Sequence, residues 1–173
     1  MTFRPGTTSR KAVLLAAFCA VFAVISFYVS SCVAQARIVY QVAALAAAIV
    51  ALEVYLKYVG SDYLYTADDK DLKIYKITGK KSICVCSLNY EESASAVVSS
   101  AYVSAHSEKF PKHQIALNYC KNLFPQEYSL YFFNFNGKLA RLKFEPDKAF
   151  TDYLNQKICA ARSRVEKEEN REE

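Results

Sequence analysis

The sequence predicts an α+β chain: a two-helix transmembrane hairpin, then a seven-stranded antiparallel β-sandwich or barrel with a C-terminal capping helix. Three observations predict it. Two long apolar runs stand near the start, period-two alternation broken by turn residues follows Gly60, and the period becomes helical after Pro146.

The 173 residues carry a net charge of +5, and the mean hydropathy of +0.01 averages two unlike regions. Residues 12–34, AVLLAAFCAVFAVISFYVSSCVA, contain no charged side chain and are long enough for a helix to cross the ~30 Å hydrocarbon layer. Residues 38–56, IVYQVAALAAAIVALEVYL, are just long enough, with Gln41 and Glu53 near the two ends, where they reach interfacial water. The organisation that follows is a basic N-terminus (1–11), a helical hairpin (12–58), a soluble domain (60–162) and a charged tail (163–173). Arg4, Arg10 and Lys11 precede the first span, and only Arg37 stands in the turn. Lys57, Lys70, Lys73 and Lys76 follow the second span, so both termini are expected in the cytoplasm.

That side is reducing, so Cys84, Cys86, Cys120 and Cys159 are expected as free thiols. A competing reading makes the first run a signal peptide, with acylation at Cys32 or cleavage after Ala34-Gln35-Ala36. The run exceeds the 7–15 residues of a signal-peptide core, and a second span follows at once. Small residues four apart, Ala16 and Ala20 on one span and Ala43, Ala47 and Ala51 on the other, are the expected helix-packing positions.

In the domain, DYLYT (62–66), the alternating run around Leu72 and Ile74, SICVCSL (82–88), SAVVSSAYVSA (95–105) and QIALNYC (114–120) read as strands. A polar loop with His106, Lys109, Pro111 and His113 precedes the last of these. The strongest local signal is YSLYFFNFNGKLARLKFEP (128–146). With Asn136-Gly137 at the centre of a type I′ turn, Phe135 faces Lys138, Phe133 faces Ala140, Tyr131 faces Leu142 and Ser129 faces Phe144. Tyr131, Phe133, Phe135, Ala140, Leu142 and Phe144 then form a core face. Tyr128, Leu130 and Phe132, with Leu139, Arg141 and Lys143, form a mixed one. After Pro146 and Asp147, apolar residues from Phe150 to Ala161 recur at helical spacing.

Seven strands and one C-terminal amphipathic helix are the element order of a pleckstrin-homology (PH)-like domain. The two spans, the YLYTADDKDLKIYKITGKK segment after them, and NGKLARLKFEPDKAFTDYL near the end resemble uncharacterised bacterial membrane proteins of Firmicutes type. In those proteins a helical hairpin precedes a PH-like domain. The resemblance covers nearly the whole chain and implies binding or scaffolding, with no catalytic residues to carry over.

Lys70, Lys73, Lys76, Lys80 and Lys81 stand where PH-like relatives hold headgroup lysines. The cluster lacks an arginine for bidentate phosphate contact and sits beside Asp68, Asp69 and Asp71, so a nonspecific attraction to the anionic leaflet is the favoured reading. Enzymatic readings find little support. Four glycines form no phosphate-cradling pattern, and no metal or cofactor pattern stands out, since Cys84 and Cys86 alternate on one strand face with Leu88. The dispersed charge argues against a nucleic-acid partner, and no small-molecule substrate is evident.

The expected function is a noncatalytic, membrane-anchored interaction module binding a protein partner, self included, or the anionic inner leaflet. Its contact residues are the five lysines with Tyr128, Phe132 and Arg141. The alternative is a regulatory subunit of a membrane transport or envelope-stress complex, assembled through the hairpin.

Overall fold

The computed structural model describes residues 1–6, 10–106, 108, 110 and 112–172. Lys109 and Pro111 of the polar loop, and Glu173 of the tail, lie outside the described residues. The chain forms two compact units.

One unit is the helical hairpin. Helix α1 (Arg10–Cys32) and helix α2 (Arg37–Val54) are joined by a short 3-10 turn at Ala34–Ala36, and α2 continues through a π-helical turn at Tyr55–Val59. At 1.5 Å per residue, the 23 residues of α1 reach about 34 Å. Both helices are long and apolar enough to cross a membrane. Their outer surfaces display Phe18, Phe22, Phe27, Ile38, Leu45 and Ile49, a continuous apolar surface that water would disfavour and lipid would not. Ser61 closes the second helix, its Oγ lying 2.9 Å from the Leu56 carbonyl and 3.0 Å from that of Lys57.

The second unit is the β-rich domain, and it begins with residues that precede the hairpin. Strand β1 (Thr2–Phe3) pairs antiparallel with β2 (Asp62–Ala67), which continues into β3 (Asp71–Thr78) and β4 (Lys81–Asn89). This is the first four-stranded sheet. The second contains β5 (Val98–Ser99), β6 (Ile115–Asn118), β7 (Ser129–Phe135) and β8 (Lys138–Phe144), in the order β5-β7-β8-β6. Between β5 and β6 lies the short helix α3 (Ser100–Ala105), and α4 (Lys148–Glu172) ends the fold.

The closing hairpin has the expected register, Phe135 opposite Lys138 through Ser129 opposite Phe144. Its turn residues Asn136 and Gly137 adopt φ of 50° and 73°. Three expectations are corrected. Among the described residues eight strands form instead of seven, because Thr2 and Phe3, expected only as part of a basic N-terminus, add to the free edge of β2, where Phe3 packs near Tyr65 and Phe150. The domain is not wholly antiparallel, because β6 runs parallel to β8. The other flank of β7 is occupied by β5 and by a bridge from Ser93 to Phe133, so β8 offers the open edge.

The third correction concerns residues 95–105, which are not one strand. Only Val98 and Ser99 pair, and then the Ser99 hydroxyl accepts from Tyr102 N at 3.3 Å and starts α3. Small serines and alanines without β-branching offer little to hold an extended chain there.

Both sheets and α4 share one core. Leu72, Ile74, Tyr65, Tyr131, Phe133, Leu142 and Phe144 are fully buried with Phe150, Leu154 and Ile158 of α4. Asp147 caps that helix, accepting from Phe150 N at 2.7 Å. Phe135, assigned to the core face, is 47 % exposed, because the ladder outruns the sandwich at its turn.

A Cβ at Gly137 would meet nothing within 4 Å, so the cost of substitution there is purely backbone. Gly137→Val is expected to destabilise the domain by about 1–3 kcal/mol, and Gly137→Asn by less than about 1 kcal/mol. Urea denaturation followed by tyrosine fluorescence measures both.

Candidate interaction surface

The five lysines do not form one site. Lys70 stands in the β2–β3 turn and Lys80 in the β3–β4 turn, with the eight residues of β3 between them, about 25 Å of strand. Lys81 pairs with Thr78 at the Lys80 end. Lys73 is held within the sheet, 3.0 Å from Asp68 and 3.8 Å from Asp71, and the Asp68 bond raises its pKa. Lys76 lies opposite Tyr63 and Ile83. Lys80 and Lys81 are the exposed pair that remains together.

The mixed face of the β7–β8 hairpin is half covered. Phe132 is only 3 % exposed, with the Phe110 ring stacked on it at 5.2 Å. Tyr102 of α3 meets Phe110 edge-on at 6.3 Å and stacks on His106 at 4.5 Å. The aromatic half of the face is thus packed under the segment around α3, and α4 covers the opposite side of the sheet. Phe132, expected as a contact residue, is a packing residue.

What stays available is cationic. Arg141 lies between Phe132 on β7 and Ala116 on β6, and its Nε is enclosed with no hydrogen-bond partner. Two residues on, Lys143 holds its ammonium 3.8 Å from the centre of the Tyr128 ring. His113 is nearby, its pKa lowered by burial and then by the Arg141 charge.

A second polar cluster was not legible in the sequence. Asp62, at the start of β2, binds Arg4 through Oδ2, and Lys121 Nζ lies 2.8 Å from its Oδ1. Lys121 is 2 % exposed. Burial raises the Asp62 pKa, but hydrogen bonds and charge from Lys121 and Arg4 outweigh it and leave the carboxyl below its ordinary value. These three residues are separated in sequence, and no local spacing announces their meeting.

The Cys84-Val85-Cys86 expectation is corrected. A register shift between Ile74 and Tyr75 makes Cys86 face Ile74 and Cys84 face Tyr75, leaving Val85 as the extra residue of a β-bulge. Val85 and Cys86 pack toward the core while Cys84 is exposed. Burial, then Cys84, pushes the Cys86 thiol up to about 11. Among the described residues no three His, Cys, Asp or Glu side chains gather to hold a metal ion. Between β4 and β6 opens a cleft of about 310 Å³, lined by Val85, Leu88, Ile115, Leu117 and Phe133. Ser87 and Tyr119 also line it, so the lining is mainly but not wholly apolar.

In the hairpin, Ala16 is buried and Ala43, Ala47 and Ala51 are half-buried, whereas Ala20 is exposed and belongs to the outer surface. The closed seam on α1 uses Ala12, Ala16, Ser26 and Ser30. With Cys19 and Ala23 between them, their spacing alternates four and three, the heptad pattern of left-handed helix pairs. That alternation would have found the two serines.

Comparison with known proteins finds no matching family model, no matching curated protein and no matching solved structure.

Removing the Asp62 carboxylate takes one charge partner from the buried Lys121 ammonium. Asp62→Asn is expected to cost about 3 kcal/mol, while Arg4→Gln, at an exposed cation, costs less than about 1 kcal/mol; denaturant midpoints separate the two. Because the folded pKa of Asp62 is depressed, its contribution is complete above the ordinary carboxylate range near 4. It is lost as pH falls through the lower folded value. In the hairpin, Ala16→Leu overpacks the seam and should destabilise by about 1–3 kcal/mol, with Ala20→Leu within about 0.5 kcal/mol of the parent. Thermal unfolding in detergent reads that difference.

Proposed function

We propose that this chain is a noncatalytic, membrane-anchored interaction and scaffold module. It spans the cell membrane twice, with both termini and a PH-like domain on the cytoplasmic face. The observation that carries the reading is the pairing of Thr2 with Thr66 and Phe3 with Tyr65. Residues before the first apolar helix and after the second belong to one folded body, so the hairpin leaves and returns on the same side. The lysine and arginine bias at the flanks of the spans supports the cytoplasmic side.

The strand-rich order ending in α4 supports the PH-like reading, from which the parallel β6 is a departure. The partner-facing surface in this reading is the cationic half of the outer hairpin face, Arg141 and Lys143 with Tyr128. Lys80 and Lys81 supply attraction to an anionic leaflet. A role as a regulatory subunit assembled through the hairpin draws support from a groove of about 420 Å³ beside Ala16, Ala17, Ala20 and Ala51, where another helix would approach closely.

Cys32 and Cys84 are both exposed, one at the hairpin turn and the other in the domain. In variants retaining one of these cysteines, an impermeant maleimide is expected to label Cys32 in intact cells and Cys84 only after permeabilisation. Labelling of Cys84 from outside would sink the orientation. Crosslinking the full-length protein in its own membranes is expected to join it to a protein partner or to itself, and recovery of uncrosslinked monomer alone counts against an interaction module.

A further inference from the structure

The two sheets differ in charge in a way that the interaction reading leaves unexplained. The strands of the first sheet carry Asp62 and Asp71, and each has a cation within 4 Å. The strands of the second carry Lys138, Arg141 and Lys143 and no carboxylate at all. Arg141 and Lys143 share its outer face, two residues and so about 7 Å apart. Neither makes an ion pair among the described residues, and Nε of Arg141 is the one enclosed side-chain nitrogen or oxygen among them without a hydrogen-bond partner. With Nε enclosed, the terminal guanidinium nitrogens of Arg141 are the ones left to donate to carboxylate oxygens.

The complementary charge lies on the same chain. From residue 166 to 173 the sequence is EKEENREE, five glutamates against Lys167 and Arg171, a net charge of −3. The described part of this segment continues α4 to Glu172 without a break. The α4 side chain whose hydrogen bond reaches back to the body of the domain nearest this segment is that of Arg162, 2.9 Å from the Ser93 carbonyl. The ten helical residues after it advance about 15 Å. A continuous helix does not reverse its direction, so the backbone of α4 runs on past the Ser93 anchor instead of turning back over the sheet.

We propose that the outer face of the second sheet, through Arg141 and Lys143, receives the acidic end of α4 from a second copy of this chain. The arrangement is reciprocal: under a two-fold axis each copy donates one acidic end and accepts the other, which makes two charged contacts per dimer. Arg141, flanked by Phe132 and Ala116, takes a glutamate through its fork, and Lys143, steadied over Tyr128, takes a second. The hairpins confine both copies to one plane and raise their effective concentration, which offsets the modest strength of partly exposed ion pairs. The inference rests on the interaction-module reading and names the partner.

The test uses the full-length protein in detergent micelles, analysed by sedimentation equilibrium. The parent is expected to dimerise in 50 mM salt and to dissociate roughly tenfold more readily in 500 mM. The double variant Arg141→Glu, Lys143→Glu and the tail variant Glu168→Lys, Glu169→Lys should each weaken the dimer roughly tenfold, and combining all four should restore it to within about threefold of the parent. Arg141→Gln with Lys143→Gln provides a milder pair should charge reversal disturb folding, and near-ultraviolet circular dichroism checks each variant. A monomeric parent, a dimer indifferent to both variants, or failure of the charge swap to restore association in folded protein overturns the proposal. Such a failure leaves the interaction reading standing if crosslinking in membranes still captures a different protein.

Discussion

The domain depends on one buried hydroxyl. Tyr65 is fully enclosed, and its Oη donates to the Tyr119 carbonyl at 2.8 Å while accepting from Glu145 N at 3.3 Å. A hydroxyl taken from water without such partners would cost several kcal/mol, so the chain must bring the end of β6 and the end of β8 to the same point above β2. The ring adds its own demands, with Phe144 edge-on at 5.4 Å, Phe150 of α4 at 6.4 Å and Phe3 at 6.3 Å. Four separated segments therefore meet on one side chain of β2. Burial holds the phenol far above its ordinary pKa, so it remains a neutral donor throughout the physiological range.

That convergence joins the two chain segments that flank the helical hairpin. Phe3 reaches the core from one end of the hairpin and Tyr65 from the other, so residues on both flanks of the spans contribute to one packed interior. Arg4, Asp62 and Lys121 reinforce the junction just beside it, where one carboxylate serves two cations.

The charge pattern divides the work between the sheets. In the first, Asp68 and Asp71 both meet Lys73, and Asp69 meets Lys157 of α4 at 2.6 Å. Those pairs are largely exposed and contribute little to stability, and Lys80 and Lys81 stand outside them. In the second sheet Arg141 and Lys143 make no ion pair among the described residues, and the Phe110 and Phe132 rings stack on that face. The surface left uncovered there is small and cationic.

The sequence by itself determined the elements whose cause is local. Asn136-Gly137 set the β7–β8 register because only residues tolerant of positive φ fit that turn, and the apolar lengths of the two helices followed from composition alone. Phe150, Leu154 and Ile158 announced the buried stripe of α4 through their spacing. Tertiary structure decided everything that needed distant partners. The N-terminal strand formed because β2 offered a free edge, β6 paired with β8 because that flank was open, and a bulge at Val85 separated two cysteines that strict alternation placed together. Phe132 moved from surface to packing because Phe110 found it. Lysines that look clustered in sequence were spread along β3, since a strand extends its residues by about 3.3 Å each and only the fold decides which ends meet.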